Sequence, residues 1–146
     1  MSLEEVQQRF QFYGVDINDT RRVQFVKGYF NETMPLFFHD TLDLKALSVL
    51  RMDGDMYEST IDVLFNVFDK VSIGGVIIVD DWAMPESGWR ARKAVKDFFE
   101  WHNVKMPEIH EDEHPTVHFA KEDAWKGVSI KREKYEEELA SKTKKQ

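Results

Sequence analysis

The chain has 146 residues, of which 42% are hydrophobic and 13% aromatic, a composition that suits one globular domain with a substantial core. With 27 acidic and 20 basic residues its formal charge is -7, which argues against nucleic acid as a partner because phosphate groups repel such a surface. The absence of cysteine excludes disulfides and fits a reducing, cytoplasmic location, and no apolar run approaches the roughly 18 residues of a membrane span.

The first third of the chain predicts a helix, a loop and a short strand. Ser2 and Glu5 have the spacing of a capping box, and apolar residues then recur at helical intervals, which predicts a helix over 2–13. A polar stretch over 16–20 predicts a loop. The apolar run 23–26 has the length and composition of a strand.

The middle of the chain predicts a strand–helix–strand unit. Apolar runs over 46–52 and 76–79 have the length of strands. A helix between them is predicted to end in a turn over 72–75, which contains two glycines. A unit of about 34 residues has the size of a βαβ unit, so the two strands should be parallel. One face of the predicted helix carries Ile61, Leu64, Phe65, Phe68 and Val71.

The last third predicts one more amphipathic helix, two short strands and a charged helix. The amphipathic helix covers 89–102, and the strands cover 116–119 and 127–131. Ten charged residues in 131–146 predict a solvated helix that frays towards its end. Alternating strands and helices predict an α/β sheet covered on both faces. The inward face of the helix over 89–102 is predicted to carry Ala91, Ala94, Val95 and Phe98.

Acidic residues follow both strands of the central unit. Asp53 and Asp55 follow the first strand, and Asp80 and Asp81 follow the second. Because parallel strands end at the same edge of a sheet, we expect up to four carboxylates to converge there, which requires a cation or protonation. Oxygen ligands without cysteine favour Mg²⁺ or Mn²⁺, and one acid could instead act as a base. The alternative is that these are ordinary turn residues.

Two other functions for these acids are less well supported. The pattern Asp53-x-Asp55 occurs in phosphohydrolases with an aspartyl nucleophile, but Met56 and Tyr57 stand where such enzymes have small residues. A calcium-binding loop would require regularly spaced acids and a closing glutamate, and both are missing. Neither function is therefore preferred.

Histidines at 110, 114 and 118 have a helical spacing that could form a metal-binding face. Pro115 would break such a helix, and acidic residues lie among the histidines. We therefore predict a solvated loop in which the spacing of His110, His114 and His118 has no function.

The seven glycines do not form a nucleotide-binding loop of the usual kind. No two glycines are separated by one residue, and the only adjacent pair precedes a predicted strand. The sequence therefore contains no Gly-rich turn between a strand and a helix that would hold a cofactor phosphate.

Several segments resemble those of the macrocin O-methyltransferase (TylF-type) family. Residues 50–60, LRMDGDMYEST, resemble the family's LRLDGDLYEST, and residues 74–82, GGVIIVDDW, resemble GGVVIVDDY. Weaker similarities occur over 23–35, 92–98 and 123–128, in the same order as in the family.

The resemblance implies a Rossmann-like enzyme that uses S-adenosylmethionine and Mg²⁺ to methylate a hydroxyl of a sugar or another small molecule. It implies that Asp53, Asp80 and Asp81 hold the metal and that Asp55 is the general base. These expectations agree with the carboxylates that the strand pattern already brings to one edge of the sheet.

The resemblance also implies that Gly28, Tyr29 and Phe30 lie near the cofactor's adenine. It covers the C-terminal half of the family domain, so we expect a truncated α/β fold over 1–132 with the third to seventh strands, followed by a charged tail over 133–146. The first two strands, with the Gly-rich cofactor turn, are expected to be absent. An open sheet edge would then pair in a homodimer or with a complementing N-terminal half. The alternative is a catalytically inactive methyltransferase-like module that binds a metal or a partner.

Overall fold

The computed structural model describes residues 1–36, 46–84, 88–111 and 116–143. None of the helices in these ranges combines the length and the apolar composition that a bilayer crossing requires. In chain order the elements are α1 (Leu3–Phe12), α2 (Phe30–Pro35), β1 (Leu47–Met52), α3 (Tyr57–Val67), a 3-10 turn (Phe68–Lys70), β2 (Val71–Val79), α4 (Gly88–His102), β3 (His110–Glu111), β4 (Val117–Ala120), a second 3-10 turn (Asp123–Trp125) and α5 (Arg132–Thr143).

The described strands form one mixed sheet with the order β1-β2-β4-β3. β1 and β2 are parallel, with Met52 opposite Val79, which confirms the predicted strand–helix–strand unit. β4 runs antiparallel to both of its neighbours, and Val117 also pairs with Val79. The ends of β1 and β2 and the start of β4 therefore lie together at one edge of the sheet.

One face of this sheet packs against α3 and α4. Every side chain that the sequence places on the inner faces of these two helices is buried, as predicted. Aromatic rings fill the centre of this core: Phe68 lies 5.1 Å from Phe98 and 4.5 Å from Trp125, measured between ring centroids. Burial of this aromatic and aliphatic surface is the main force that holds the α3–β2–α4 layer together.

The two terminal helices are attached in different ways. The predicted capping box of α1 is present, since the Ser2 amide donates to Glu5 Oε2 at 2.6 Å and the Glu5 amide donates to Ser2 Oγ at 3.2 Å. No residue of α1 is buried. α5 carries the predicted charged helix, but Tyr135 is buried and stacks on Phe65 at 5.1 Å. The Tyr135 hydroxyl also donates to Asp62 at 2.5 Å, so α5 is anchored to α3.

Two of the five predicted strands are wrong. Residues 23–26 are irregular, and Phe25 packs against Phe10 of α1 with ring centroids 5.3 Å apart. Residues 127–131 contain no strand either, although Val128 and Ile130 pack against the core. In the described part of the chain neither segment has a strand beside it, and a strand without a neighbour leaves its backbone groups unpaired.

The predicted turn over 72–75 is also wrong, because these residues belong to β2. The preceding helix has already ended in its 3-10 turn, and the chain enters the strand directly at Val71. Lys121, which follows β4, is buried and donates from Nζ to the carbonyls of Phe68 at 2.9 Å and Val71 at 2.8 Å. This ammonium group satisfies carbonyls that a glycine cap would otherwise have to satisfy.

The predicted solvated loop around the histidines is wrong at two of the three positions, which lie on strands. His110 and His118 are cross-strand partners on β3 and β4, with their rings stacked 5.2 Å apart. His114 lies outside the described residues. Two residues are too few to show the pattern of a strand in the sequence, and β3 is a strand only because it pairs with β4.

Candidate metal centre

The edge of the sheet where β1 and β2 end carries all four predicted acids. The Asp80 amide donates to the Met52 carbonyl at 2.9 Å and so continues the parallel ladder to the point where both chains turn away. One carboxylate oxygen from each of Asp53, Asp55 and Asp81 lies within 4.8 Å of the others. The structure therefore brings three of the four acids together, and Asp80 makes different contacts.

The turn after β1 is tightly packed against the start of α3. A Cβ atom on Gly54 would lie 2.8 Å from Ser59 Cβ, so only glycine fits between the two aspartates. Asp55 has φ 53° and, after β2, Asp81 has φ 58°, a left-handed conformation that is uncommon outside glycine. Such backbone strain is often found at functional sites.

The three clustered acids share a strong electrostatic interaction. A hydrogen bond with Asp55 raises the pKa of Asp81 to about 6, and desolvation and repulsion from the neighbouring carboxylates act in the same direction. Below about pH 6 a proton is thus held where the Asp81 and Asp55 carboxylates meet. A divalent cation can replace that proton, and oxygen-only ligands are those that Mg²⁺ or Mn²⁺ prefers. The donor set therefore fits a hard divalent cation.

Asp80 is held by two side chains that the sequence analysis did not single out. Arg51 Nε donates to Asp80 Oδ2, and Thr116 Oγ1 donates to Asp80 Oδ1 at 2.8 Å. Burial alone would raise the pKa of Asp80, but these two hydrogen bonds lower it below its usual value. Arg51 Nη2 also lies 3.7 Å from Asp53 Oδ2, so one guanidinium joins both acidic loops. Only the position of Arg51 near the end of β1, two residues before Asp53, could have indicated this role.

The segment that was predicted to contact the cofactor lies beside these acids. Phe30 begins α2, and its ring lies 3.4 Å from where a Gly54 Cβ atom would be. Gly28 has φ 147°, and a Cβ atom there would come within 2.4 Å of Thr33 Cγ2. Tyr29 is 76% exposed. The start of α2 therefore presents an aromatic surface next to the Asp53–Asp55 turn.

Comparison with known proteins gives a consistent result. The family model described as Macrocin-O-methyltransferase (TylF) matches residues 1–121. Demethyldecarbamoylnovobiocin O-methyltransferase of Streptomyces niveus is 48% identical over 84 residues, which are 58% of this chain and 29% of that protein. Mycinamicin III 3''-O-methyltransferase of Micromonospora griseorubida is 39% identical over 103 residues, or 70% of this chain and 36% of that protein. The chain thus spans about a third of the length of these curated relatives.

A solved structure shows the same fold. The O-methyltransferase NovP superposes with a TM-score of 0.69 at 36% identity, covering 84% of this chain and 46% of that chain. The predicted α/β methyltransferase fold is therefore confirmed for the described part of the chain.

Proposed function

This chain belongs to the macrocin O-methyltransferase (TylF) family, and we propose that it supplies the metal-binding part of a Mg²⁺-dependent O-methyltransferase. The methyl donor would be S-adenosylmethionine, and the acceptor would be a hydroxyl of a sugar or another small molecule. One observation carries this proposal: Asp53, Asp55 and Asp81 converge where two parallel strands end. In open α/β sheets this is the edge at which ligands bind.

We assign separate roles to the four carboxylates. Asp53, Asp80 and Asp81 are the proposed metal ligands, and Asp55 is the proposed general base. A bound Mg²⁺ would lower the pKa of an alcohol and fix its orientation. Asp55, which already shares a hydrogen bond with Asp81, is placed to accept the proton that the hydroxyl loses.

The contacts of Asp80 are compatible with a role as a ligand. A carboxylate has about four acceptor positions, and Arg51 and Thr116 use one on each oxygen. A lone pair therefore remains on each oxygen for a cation. Asp55 belongs to the group of three converging acids and Asp80 does not, so the metal affinities of Asp55→Asn and Asp80→Asn variants would distinguish a base from a ligand.

The aromatic start of α2 supports a cofactor site beside the acids. Phe30 packs at the Asp53–Asp55 turn, and Tyr29 is exposed next to it. An adenine ring stacks favourably on such side chains. We therefore propose that Gly28, Tyr29 and Phe30 border the cofactor, with its methyl group directed towards the carboxylates.

Methyl transfer is expected to require both the metal and Asp55. The chain would be combined with an N-terminal half of the family domain, which carries the Gly-rich cofactor turn, and incubated with methyl-labelled S-adenosylmethionine and with mycinamicin III or demethyldecarbamoylnovobiocin, the acceptors named for two relatives. We expect label in the acceptor with Mg²⁺ and none with EDTA. Asp55→Asn should lower the rate by about 10²- to 10⁴-fold, the usual contribution of a general base.

The control for that assay is Asp123→Asn, which makes the same chemical change at an exposed aspartate paired with Lys126. It should leave the rate unchanged. Transfer that persists in EDTA, or in Asp55→Asn at the parent rate, would contradict the proposed function.

The affinity for Mg²⁺ is expected to depend on pH, because the proton shared by Asp81 and Asp55 must leave when the cation binds. The pKa of Asp81 is raised to about 6, so the proton is bound below that pH and lost above it. For one displaced proton the affinity should fall about tenfold per pH unit below pH 6. Calorimetric titration at pH 5, 7 and 8 would measure this, and equal affinities at pH 5 and 8 would refute it.

A second candidate is a catalytically inactive methyltransferase-like module that binds metal or a partner. Its support is that none of the seven glycines forms a Gly-rich turn between a strand and a helix. β1 is also an outer strand of the described sheet, with no strand on its other side in the described residues. Val49 on β1 is 54% exposed, so a second copy or a complementing chain could pair with this strand. Mg²⁺ binding without methyl transfer in the assay above would favour this candidate.

A further inference from the structure

Asp80 is the acid whose surroundings are most completely defined. Asp80 directly follows β2, and its side chain is 12% exposed and lies between β1 and β4, the two neighbours of β2. Arg51 comes from β1, and Thr116 stands immediately before β4. Each donates to a different oxygen of the carboxylate, so the orientation of both oxygens is determined by side chains from two separate strands.

We propose that Arg51 and Thr116 are positioning residues that orient Asp80 towards a divalent cation, an inference that rests on the proposed function. Carboxylates that bind metals are usually hydrogen-bonded by outer groups, which fix the direction of the remaining lone pairs. Thr116 provides a neutral hydroxyl and Arg51 a charged guanidinium, so the two contributions can be removed independently.

Arg51 has a second effect through its charge. Its Nη2 atom lies 3.7 Å from Asp53 Oδ2, and its Nε donates to Asp80 Oδ2. Arg51 therefore connects the turn after β1 to the turn after β2. Four carboxylates at this edge would leave a large excess of negative charge around a divalent ion. The single positive charge of the guanidinium offsets part of this negative charge, while a lone pair on each Asp80 oxygen remains for the cation.

The Thr116 hydrogen bond is not needed for the strand pairing around it. β2 and β4 pair through the backbone from Val79 and Val117 to Val76 and Ala120. Removing the hydroxyl of Thr116 therefore leaves this ladder in place, and a loss of metal affinity would report on Asp80 rather than on the sheet.

The test compares Thr116→Val, which keeps the shape and removes the hydroxyl, with Thr116→Ser, which keeps the hydroxyl. Mg²⁺ itself is the probe, titrated calorimetrically into the chain at pH 7. Thr116→Val should weaken Mg²⁺ binding by about 10- to 100-fold, the usual effect of losing an outer hydrogen bond. Thr116→Ser should bind as the parent does and keep its metal-free thermal midpoint, and the metal-free midpoint of Thr116→Val should fall only slightly, because one hydrogen bond is lost.

Arg51 gives an independent pair of variants should Thr116→Val fold poorly. Arg51→Lys keeps the charge but loses the planar fork that orients Asp80, so it should weaken Mg²⁺ binding, whereas Arg51→Gln also removes a positive charge that repels the cation, so its loss of affinity should be smaller. If Thr116→Val and Arg51→Lys bind as tightly as the parent, or if Thr116→Ser binds as weakly as Thr116→Val, the inference is overturned. A parent chain that does not bind Mg²⁺ would instead overturn the proposed metal site itself.

Discussion

Replacing Asp81 by asparagine is expected to abolish the rise in thermal midpoint that Mg²⁺ gives to the parent chain. A ligand present at a hundredfold excess over its Kd stabilises the native state by about 2.7 kcal/mol, and for a domain of this size that corresponds to roughly 5–10 °C. Asp81 contributes one of the three converging oxygens, and its loss removes a charged ligand. Asparagine has the same shape and tolerates the left-handed φ of 58°.

The same variant should behave differently without metal. The folded-state pKa of Asp81 is raised to about 6, above its ordinary value of 3.8, so its stabilising contribution is present at low pH and is lost as the pH rises through 6. At pH 7 asparagine removes the repulsion, and the metal-free midpoint should equal or exceed that of the parent. A general folding defect would instead lower the midpoint with and without Mg²⁺.

Asp123→Asn serves again as the matched control and should retain the full Mg²⁺ response. Differential scanning calorimetry at several Mg²⁺ concentrations measures both quantities in one series. Should Asp81→Asn respond to Mg²⁺ as the parent does, the cluster of Asp53, Asp55 and Asp81 does not bind the cation.

The parallel strand–helix–strand unit could be predicted from sequence because each of its elements has its own periodicity. α3 repeats apolar residues at helical intervals, and β1 and β2 are short apolar runs on either side. The predicted strands at 23–26 and 127–131 have a similar composition but remain irregular. Apolar and β-branched residues indicate which segments can form strands, whereas only a neighbouring strand provides the hydrogen bonds.

The sheet edge that holds the acids was predictable, but the direction of each carboxylate was not. Successive side chains of an extended chain point to opposite sides, so Asp80 and Asp81 cannot both face the cluster without a change in the backbone. The left-handed conformation of Asp81 provides that change, and Arg51 and Thr116 hold Asp80. Thr116 reaches Asp80 only because β4 pairs antiparallel with β2, and that register is a tertiary property.

Replacing Phe65 by alanine is expected to cause a large loss of stability. Phe65 has no exposed surface and is the ring that joins three helices. Its centroid lies 5.1 Å from Phe98 of α4 and 5.1 Å from Tyr135 of α5. Truncation of a buried phenylalanine to alanine costs about 3–5 kcal/mol, a large part of the roughly 5–15 kcal/mol that stabilises a typical domain. Urea denaturation followed by circular dichroism would measure the change in the free energy of unfolding.

Two further variants show whether this loss arises from the core. Phe12→Ala removes the same side chain at a site that is 84% exposed, and it should change the free energy of unfolding by less than about 0.5 kcal/mol. Phe65→Leu should give an intermediate loss and should keep its Mg²⁺ response, because Phe65 lies about 12 Å further along α3 than Tyr57, at 1.5 Å per residue. If Phe65→Ala is no less stable than Phe12→Ala, then α5 and α4 do not pack on this ring. If Phe65→Leu loses the Mg²⁺ response, the geometry of the metal site depends on how the core packs around Phe65.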